Sequence, residues 1–283
     1  MVGNGLVTRR KNFPGQKSRW TVCNQEHLPP IMTLVKLPYY LPLIMLIVLP
    51  AWGLELPKGL DHEARVEVVR LVGLGTSSKL LTNPFPLGGY PGLEVGISLE
   101  LVNTADLSRL GTGTQRDERE FRYPRISFGK GLYNNLDIFF HFIPFSEDSQ
   151  ISEYGGMFRW SFYQAKFLPI NLSLLMHGSV LNMNDSLSTQ TLGSELVAGI
   201  SVNSFSLYFG GGFLTSTAEF VAQGSEGIVI ASDPPNRRGV VDELVRETHS
   251  VVGITLHVSD YFLAAQIDRY REPVYSLKLG LRL

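Results

Sequence analysis

Nine charged side chains stand at alternate positions within apolar runs of this sequence: Glu94, Glu100, Asp137, Glu195 and Asp268 among the acids, and Arg125, Arg159, Lys278 and Arg282 among the bases. If these runs are strands, alternation turns all nine to the face opposite the apolar residues. Five acids against four bases is close to balance. An enclosed set of this kind can do three things. It can pair internally, because an unpaired buried charge is costly. It can line a pore and select ions. It can supply acids and bases to a reaction. His141, His177 and His257 fall on the same face. Three histidines suggest a metal site, but their runs are scattered and nothing in the spacing sets them at one height, so neither a metal nor another cofactor is assigned. His249-Ser250 is the one His-Ser pair, and adjacent strand residues face opposite ways, which does not make a dyad. Residues 73–79, Gly-Leu-Gly-Thr-Ser-Ser-Lys, lack the GxxxxGK[ST] spacing of a phosphate loop. No catalytic residue is assigned, and the chain is read as a non-enzyme.

The elements that would position these charges are about ten runs of period-two alternation over residues 93–283. The last is the clearest. In Tyr-Ser-Leu-Lys-Leu-Gly-Leu-Arg-Leu, residues Tyr275, Leu277, Leu279, Leu281 and Leu283 share one face, and Ser276, Lys278, Gly280 and Arg282 the other. Residues 93–102 repeat the pattern, with Leu99 outward between Ser98 and Glu100. Further outward positions are Ile126 and Phe128; Ile138, Phe140 and Phe142; Phe158, Trp160 and Phe162; Leu172, Leu174 and Met176; Leu196, Ala198 and Ile200; Leu207, Phe209 and Phe213; Val252, Ile254, Leu256 and Val258; and Leu263 and Ile267. Tyr163 is read as inward beside Arg159 and Ser161. Each run is near the 9–11 residues that a tilted strand needs to cross a bilayer.

Connection lengths alternate. Residues 133–135, 166–169, 203–204 and 259–260 are short; 103–120, 145–153, 181–190 and 221–248 are long and polar. The alternation, the loop parity and the terminal strand resemble those of bacterial outer-membrane β-barrel proteins as a class. The likeness covers residues 93–283 and names no single family. It implies an all-β fold: an antiparallel up-and-down barrel across the membrane, of about ten strands with twelve as the other count. Short turns would be periplasmic and long loops extracellular. It implies the outer membrane of a Gram-negative bacterium as location. The implied partners are outer-membrane lipids, lipopolysaccharide and the barrel assembly machinery, with small solutes as candidate cargo. Such proteins usually end on an aromatic residue, whereas this chain ends on Leu283. Their proteolytic members use paired Asp and an Asp–His couple, and no Asp-x-Asp or Asp-x-His occurs here.

On this reading Leu99, Ile138, Phe140, Trp160, Leu174, Ile200, Leu207, Ile254, Leu256, Leu279 and Leu281 face lipid. Tyr123, Tyr133, Tyr154, Tyr261, Tyr270 and Tyr275 lie near strand ends, where an interfacial girdle would sit. Gly210-Gly211-Gly212 marks strong curvature, or a gap filled by an aromatic such as Tyr208.

Upstream, residues 37–50 carry no charge, follow Lys36 and precede Ala51-Trp52-Gly53. That is the layout of a secretory signal, here 32–53. Residues 1–31 are polar and basic and fit no such signal, so translation is expected to begin at Met32. Six of the 25 Lys/Arg and one of the 26 Asp/Glu precede residue 54, leaving 19 against 25 and a net charge of −6 for 54–283. No basic patch suggests nucleic acid. Cys23 is the only cysteine, so 54–283 can form no disulfide. Residues 54–92 do not fit the barrel cleanly. Residues 64–74 read as strand or short helix and 81–92 are rich in Pro and Gly, so 54–92 is expected to be a periplasmic arm or a plug. A narrow channel for small solutes is the first expectation, and a closed-lumen structural or surface-interaction protein the alternative.

Overall fold

The computed structural model describes residues 54–114, 119–144, 151–165, 167–222, 227–230, 233 and 235–283. The expected extension 1–31 and signal 32–53 lie outside the described residues. Ten strands follow one another along the chain: β1 (Leu93–Asn103), β2 (Glu120–Gly131), β3 (Leu136–Phe142), β4 (Ile151–Gln164), β5 (Ile170–Met183), β6 (Leu187–Val202), β7 (Phe205–Val221), β8 (Val240–Val258), β9 (Tyr261–Arg269) and β10 (Pro273–Arg282). Each pairs antiparallel with its sequence neighbours, and β10 closes on β1 with Val95 opposite Leu281 and Leu99 opposite Leu277. The fold is a closed ten-stranded up-and-down barrel.

Closure removes the free strand edge that so apolar a sheet would otherwise expose. Four short connections share one end of the barrel, here the turn end: 132–135, 165–169, 203–204 and 259–260. Asn134, Asn135, Asn203 and Ser259 take left-handed backbone there, with φ between 54° and 58°. Asn tolerates this conformation well because its short polar side chain can bond locally. The opposite, loop end carries the connections β1–β2, β3–β4 and β7–β8, together with the tight turns 184–186 and 270–272.

One expected long loop is therefore mostly strand, and another is strand in part. Residues 181–190 form a tight turn, with Asn184 and Asp185 left-handed at φ 50° and 51°, flanked by β5 and β6. Of 221–248, the stretch from Val240 onward is β8 paired to β7. Residues 151–153, read as loop, begin β4. The cause is one pattern. Beyond the outward apolar belt the strands continue with the alternation inverted. Leu187, Phe220 and Val245 turn inward and are buried, while Ser188, Glu219 and Arg246 turn outward. A reading that looks for apolar residues outside stops where that inversion begins.

Strand β4 carries one irregularity. Its register to β5 shifts between Trp160 and Tyr163, so Tyr163 stands opposite the outward Leu172 and is exposed rather than inward. A bulge adds one residue to one strand and flips the alternation after it.

Residues 54–92 form no strand and fill the barrel interior. Helix α1 (His62–Val68) starts at Asp61, whose carboxylate accepts a 2.9 Å bond from the Ala64 N–H. It continues into a wider π-helical turn, Val69–Leu74. Val68, Val69, Val72 and Leu74 pack with Phe121, Met183, Leu187, Leu214, Phe220 and Val245 in an apolar core at the loop end. The chain then descends without regular structure to Leu93. Its lower part adds Leu80 and Leu87 to a second apolar cluster with Phe139, Leu175 and Tyr208.

Candidate functional site

The candidate site is the barrel interior, where alternation collects polar side chains from all ten strands. Eight of the nine predicted charges are buried; Arg282 is half-buried. They form three groups rather than one.

The first lies below the apolar core. Arg125 on β2 donates from Nη1 to Glu100 at 2.7 Å, and from Nε and Nη2 to Glu153 at 3.1 and 2.9 Å. Its remaining N–H groups reach the Ser77 carbonyl at 3.1 Å and the Thr76 carbonyl. All of the roughly five donors that a guanidinium carries are thus used. Glu100 also accepts from Lys79 at 2.5 Å and from the Tyr123 hydroxyl at 2.7 Å. His141 lies 3.0 Å from Glu153.

The second group joins β5, β6, β8 and β9. His177 Nε2 is 2.8 Å from Glu195, and His249 bridges Glu195 at 3.2 Å and Asp268 at 2.9 Å. Gln266 donates to Asp268 at 2.8 Å and accepts from the Tyr208 hydroxyl at 2.7 Å and the Leu81 N–H at 2.9 Å. Tyr270 stacks on His249 with centroids 4.6 Å apart, and its hydroxyl is 2.5 Å from Ser77.

The third group is at the turn end. Arg159 holds Asp137 through Nε at 3.0 Å and Nη2 at 2.8 Å, and donates to the carbonyls of Asn83 at 2.6 Å and Phe85 at 3.0 Å. Asp137 in turn accepts the Leu87 N–H at 3.1 Å. Lys278 donates to Glu94 at 2.7 Å, and Thr82 donates to the same carboxylate. Arg282 reaches the carbonyls of Phe85 and Pro86.

Three partners were not legible from alternation. Glu153 falls in what reads as a loop. Lys79 comes from the interior segment, which has no period. His249 stands out in the sequence only beside Ser250. Extending the alternation of β4 and β8 upward would have turned Glu153 and His249 inward. No such rule reaches Lys79.

Two members of the expected tyrosine girdle are inside instead: Tyr123 on Glu100 and Tyr270 on His249. Both sit above the inversion, where inward positions take apolar and aromatic side chains. Tyr133, Tyr154, Tyr261 and Tyr275 are exposed. The Tyr208 ring lies against Gly253 on β8, not the glycine triad. A Cβ at Gly253 would come within 2.1 Å of the ring. The triad instead allows close strand approach, since a Cβ at Gly212 would lie 1.9 Å from the Ser194 carbonyl oxygen.

On the outer face Phe140, Trp160, Ile200, Ile254 and Leu256 are exposed, and Leu99, Ile138, Leu174, Leu207, Leu279 and Leu281 are half-exposed. Inside, the cavity bordered by Lys79, Glu100, Arg125, His141 and Lys278 measures about 20 Å³. That is room for about one water. His141, His177 and His257 do not converge: the first faces Glu153, the second Glu195, and the third lies 3.4 Å from the Asn83 amide. Among the described residues no group of three or more His, Cys, Asp or Glu is arranged to hold a metal ion.

No protein-family model matches the sequence, and no curated protein sequence matches it. Solved structures do, and those similar to it are bacterial outer-membrane β-barrels. The N-terminal β-barrel domain of Pseudomonas aeruginosa OprF is 9% identical, with a TM-score of 0.34, over 69% of this chain and 99% of that domain. The KdgM porin is 8% identical, with a TM-score of 0.32, over 66% of this chain and 98% of its own. Ail, the attachment invasion locus protein of Yersinia pestis, solved with the heparin analogue sucrose octasulfate, is 12% identical, with a TM-score of 0.28, over 68% and 97%.

Proposed function

We propose that this chain is an integral outer-membrane β-barrel whose lumen is closed by its own segment 54–92, and that it serves as a structural or surface-interaction protein rather than an open channel. The outward belt supports the membrane reading. On β9, residues Tyr261, Leu263, Ala265 and Ile267 point out in succession, and β8 and β10 match them with Leu256, Ile254 and Val252, and with Leu279, Leu277 and Tyr275. Outer-membrane lipids and lipopolysaccharide would surround that belt, with the periplasm at the turn end.

One observation carries the closed-lumen reading: the guanidinium of Arg125 is spent entirely between two wall carboxylates and two carbonyls of the interior segment. A channel selects ions with charges left open to water. Here the charges expected to line a pore are bonded to one another, to other interior side chains such as His177, His249 and Gln266, or to backbone groups of 76–87.

The test is liposome swelling with the full chain purified from outer membranes. A heat-shifted gel band serves as the control for folding. Folded protein should give no faster swelling in small sugars than empty liposomes. Swelling that scales with the amount of folded protein would overturn the reading.

A further inference from the structure

The interior segment spans the barrel from end to end, and its N-terminal side lies at the loop end. Lys58 offers its carbonyl to the Thr112 N–H at 2.7 Å, in the β1–β2 connection. Leu60 forms a parallel bridge with Val229 in the β7–β8 connection, donating to Ile228 at 2.9 Å and accepting from Ile230 at 3.2 Å. The C-terminal side is held at the turn end. There Gly92 accepts from Gly131 at 3.0 Å, and Leu93 exchanges bonds with Leu283 at 2.9 and 2.8 Å. The direction of travel can be followed on one strand. Lys79 meets Glu100, and Thr82 meets Glu94, six positions nearer the turn end of β1.

From this geometry, and resting on the outer-membrane reading above, we infer that the barrel exports the N-terminal end of its own interior segment and displays Lys58, Asp61, His62 and Glu63 on the cell surface. A segment delivered from the periplasmic side reaches the loop end through the lumen, since the wall is paired strand to strand all the way round. The lining explains why it stays there. The lower interior is mostly polar and charged, with only the smaller apolar cluster around Phe139, Leu175 and Tyr208 to offer α1. The loop end offers an apolar core, where Val68, Val69, Val72 and Leu74 are buried. An apolar stretch that passes a polar section and then finds an apolar cap is trapped on the far side, because returning would expose its buried surface again. The bridge from Leu60 to Val229 and the bond from Thr112 to Lys58 then tie the displayed end to two loops. Lys58, Asp61, His62 and Glu63 present exposed or half-exposed polar side chains there.

The test uses single cysteines in the full chain carrying Cys23→Ser, so that no other thiol is present. Lys58→Cys reports the displayed end. Arg238→Cys, in the β7–β8 connection, reports the loop end, and Tyr90→Cys the turn end; both native side chains are exposed. Intact cells are treated with a membrane-impermeant maleimide. Lys58→Cys should label as fully as Arg238→Cys, and Tyr90→Cys only after the outer membrane is permeabilised. If Arg238→Cys labels and Lys58→Cys does not, export is overturned and the barrel reading stands. If Arg238→Cys fails to label on intact cells, the membrane orientation falls and the inference falls with it.

Discussion

Replacing Arg159 with alanine should cost a large share of the stability of the barrel. The side chain is fully buried and makes two bonds to Asp137 and one each to the carbonyls of Asn83 and Phe85. Its guanidinium also lies 5.0 Å from the Phe139 ring centroid. Alanine would leave Asp137 buried with only the Leu87 N–H as partner. Stranding one member of a buried ion pair costs about 3–5 kcal/mol. A protein is stable by only about 5–15 kcal/mol, so this is a substantial fraction. With a urea slope of about 2 kcal/mol per molar, a loss of 4 kcal/mol lowers the unfolding midpoint by about 2 M. Trp160, the next residue along β4, reports the transition by fluorescence. The double variant Asp137→Asn/Arg159→Met removes both charges and should lose less than Arg159→Ala alone, because no carboxylate is stranded. If Arg159→Ala moves the midpoint by no more than the roughly 0.5 kcal/mol typical of a surface substitution, the paired-interior argument is wrong.

Three further outcomes are expected. Ile254→Arg, on the outward belt, should destabilise the protein in a bilayer by about 2–4 kcal/mol, while Arg246→Leu, on the same strand beyond the belt, should stay within about 0.5 kcal/mol; chemical unfolding in lipid vesicles compares them. Gly253→Ala should cost about 1–3 kcal/mol, because its Cβ would press on the Tyr208 ring; Tyr208→Phe, which loses only the bond to Gln266, should cost about 1 kcal/mol in the same assay. Asn184→Val, in the left-handed turn that joins β5 and β6, should cost about 1–3 kcal/mol through backbone strain, whereas a long loop at 181–190 would absorb the change without loss.

Strand faces were legible in the sequence wherever one face met an apolar surround. Leu277, Leu279 and Leu281 alternate with Ser276, Lys278 and Gly280, and the structure pairs them as that alternation requires. The inward charges were legible for the same reason, as polar breaks in apolar runs. Legibility failed where the surround changed. At the loop end polar residues face out and apolar ones face in, so Tyr123 and Tyr270 read as a girdle and 240–248 as a loop. It failed again at Tyr163, where a one-residue bulge flips the phase with no mark in the local composition. The path of 54–92 was beyond reach for a different reason. Wall side chains hold that segment largely through its carbonyls, at Thr76, Ser77, Asn83, Pro84 and Phe85. Contacts to backbone leave no pattern of side chains to read. Arg65, Arg70, Lys79 and Thr82 do pair through their own side chains, with Glu243, Glu247, Glu100 and Glu94, but at no regular spacing.

The most direct test of the closed lumen is single-channel recording of the full chain, purified from outer membranes and inserted in a planar bilayer. Its heat-shifted gel band would show that the barrel is folded. The account predicts a folded protein that gives no discrete current steps. Reproducible steps from that same folded material would mean that segment 54–92 does not seal the interior, and would contradict it.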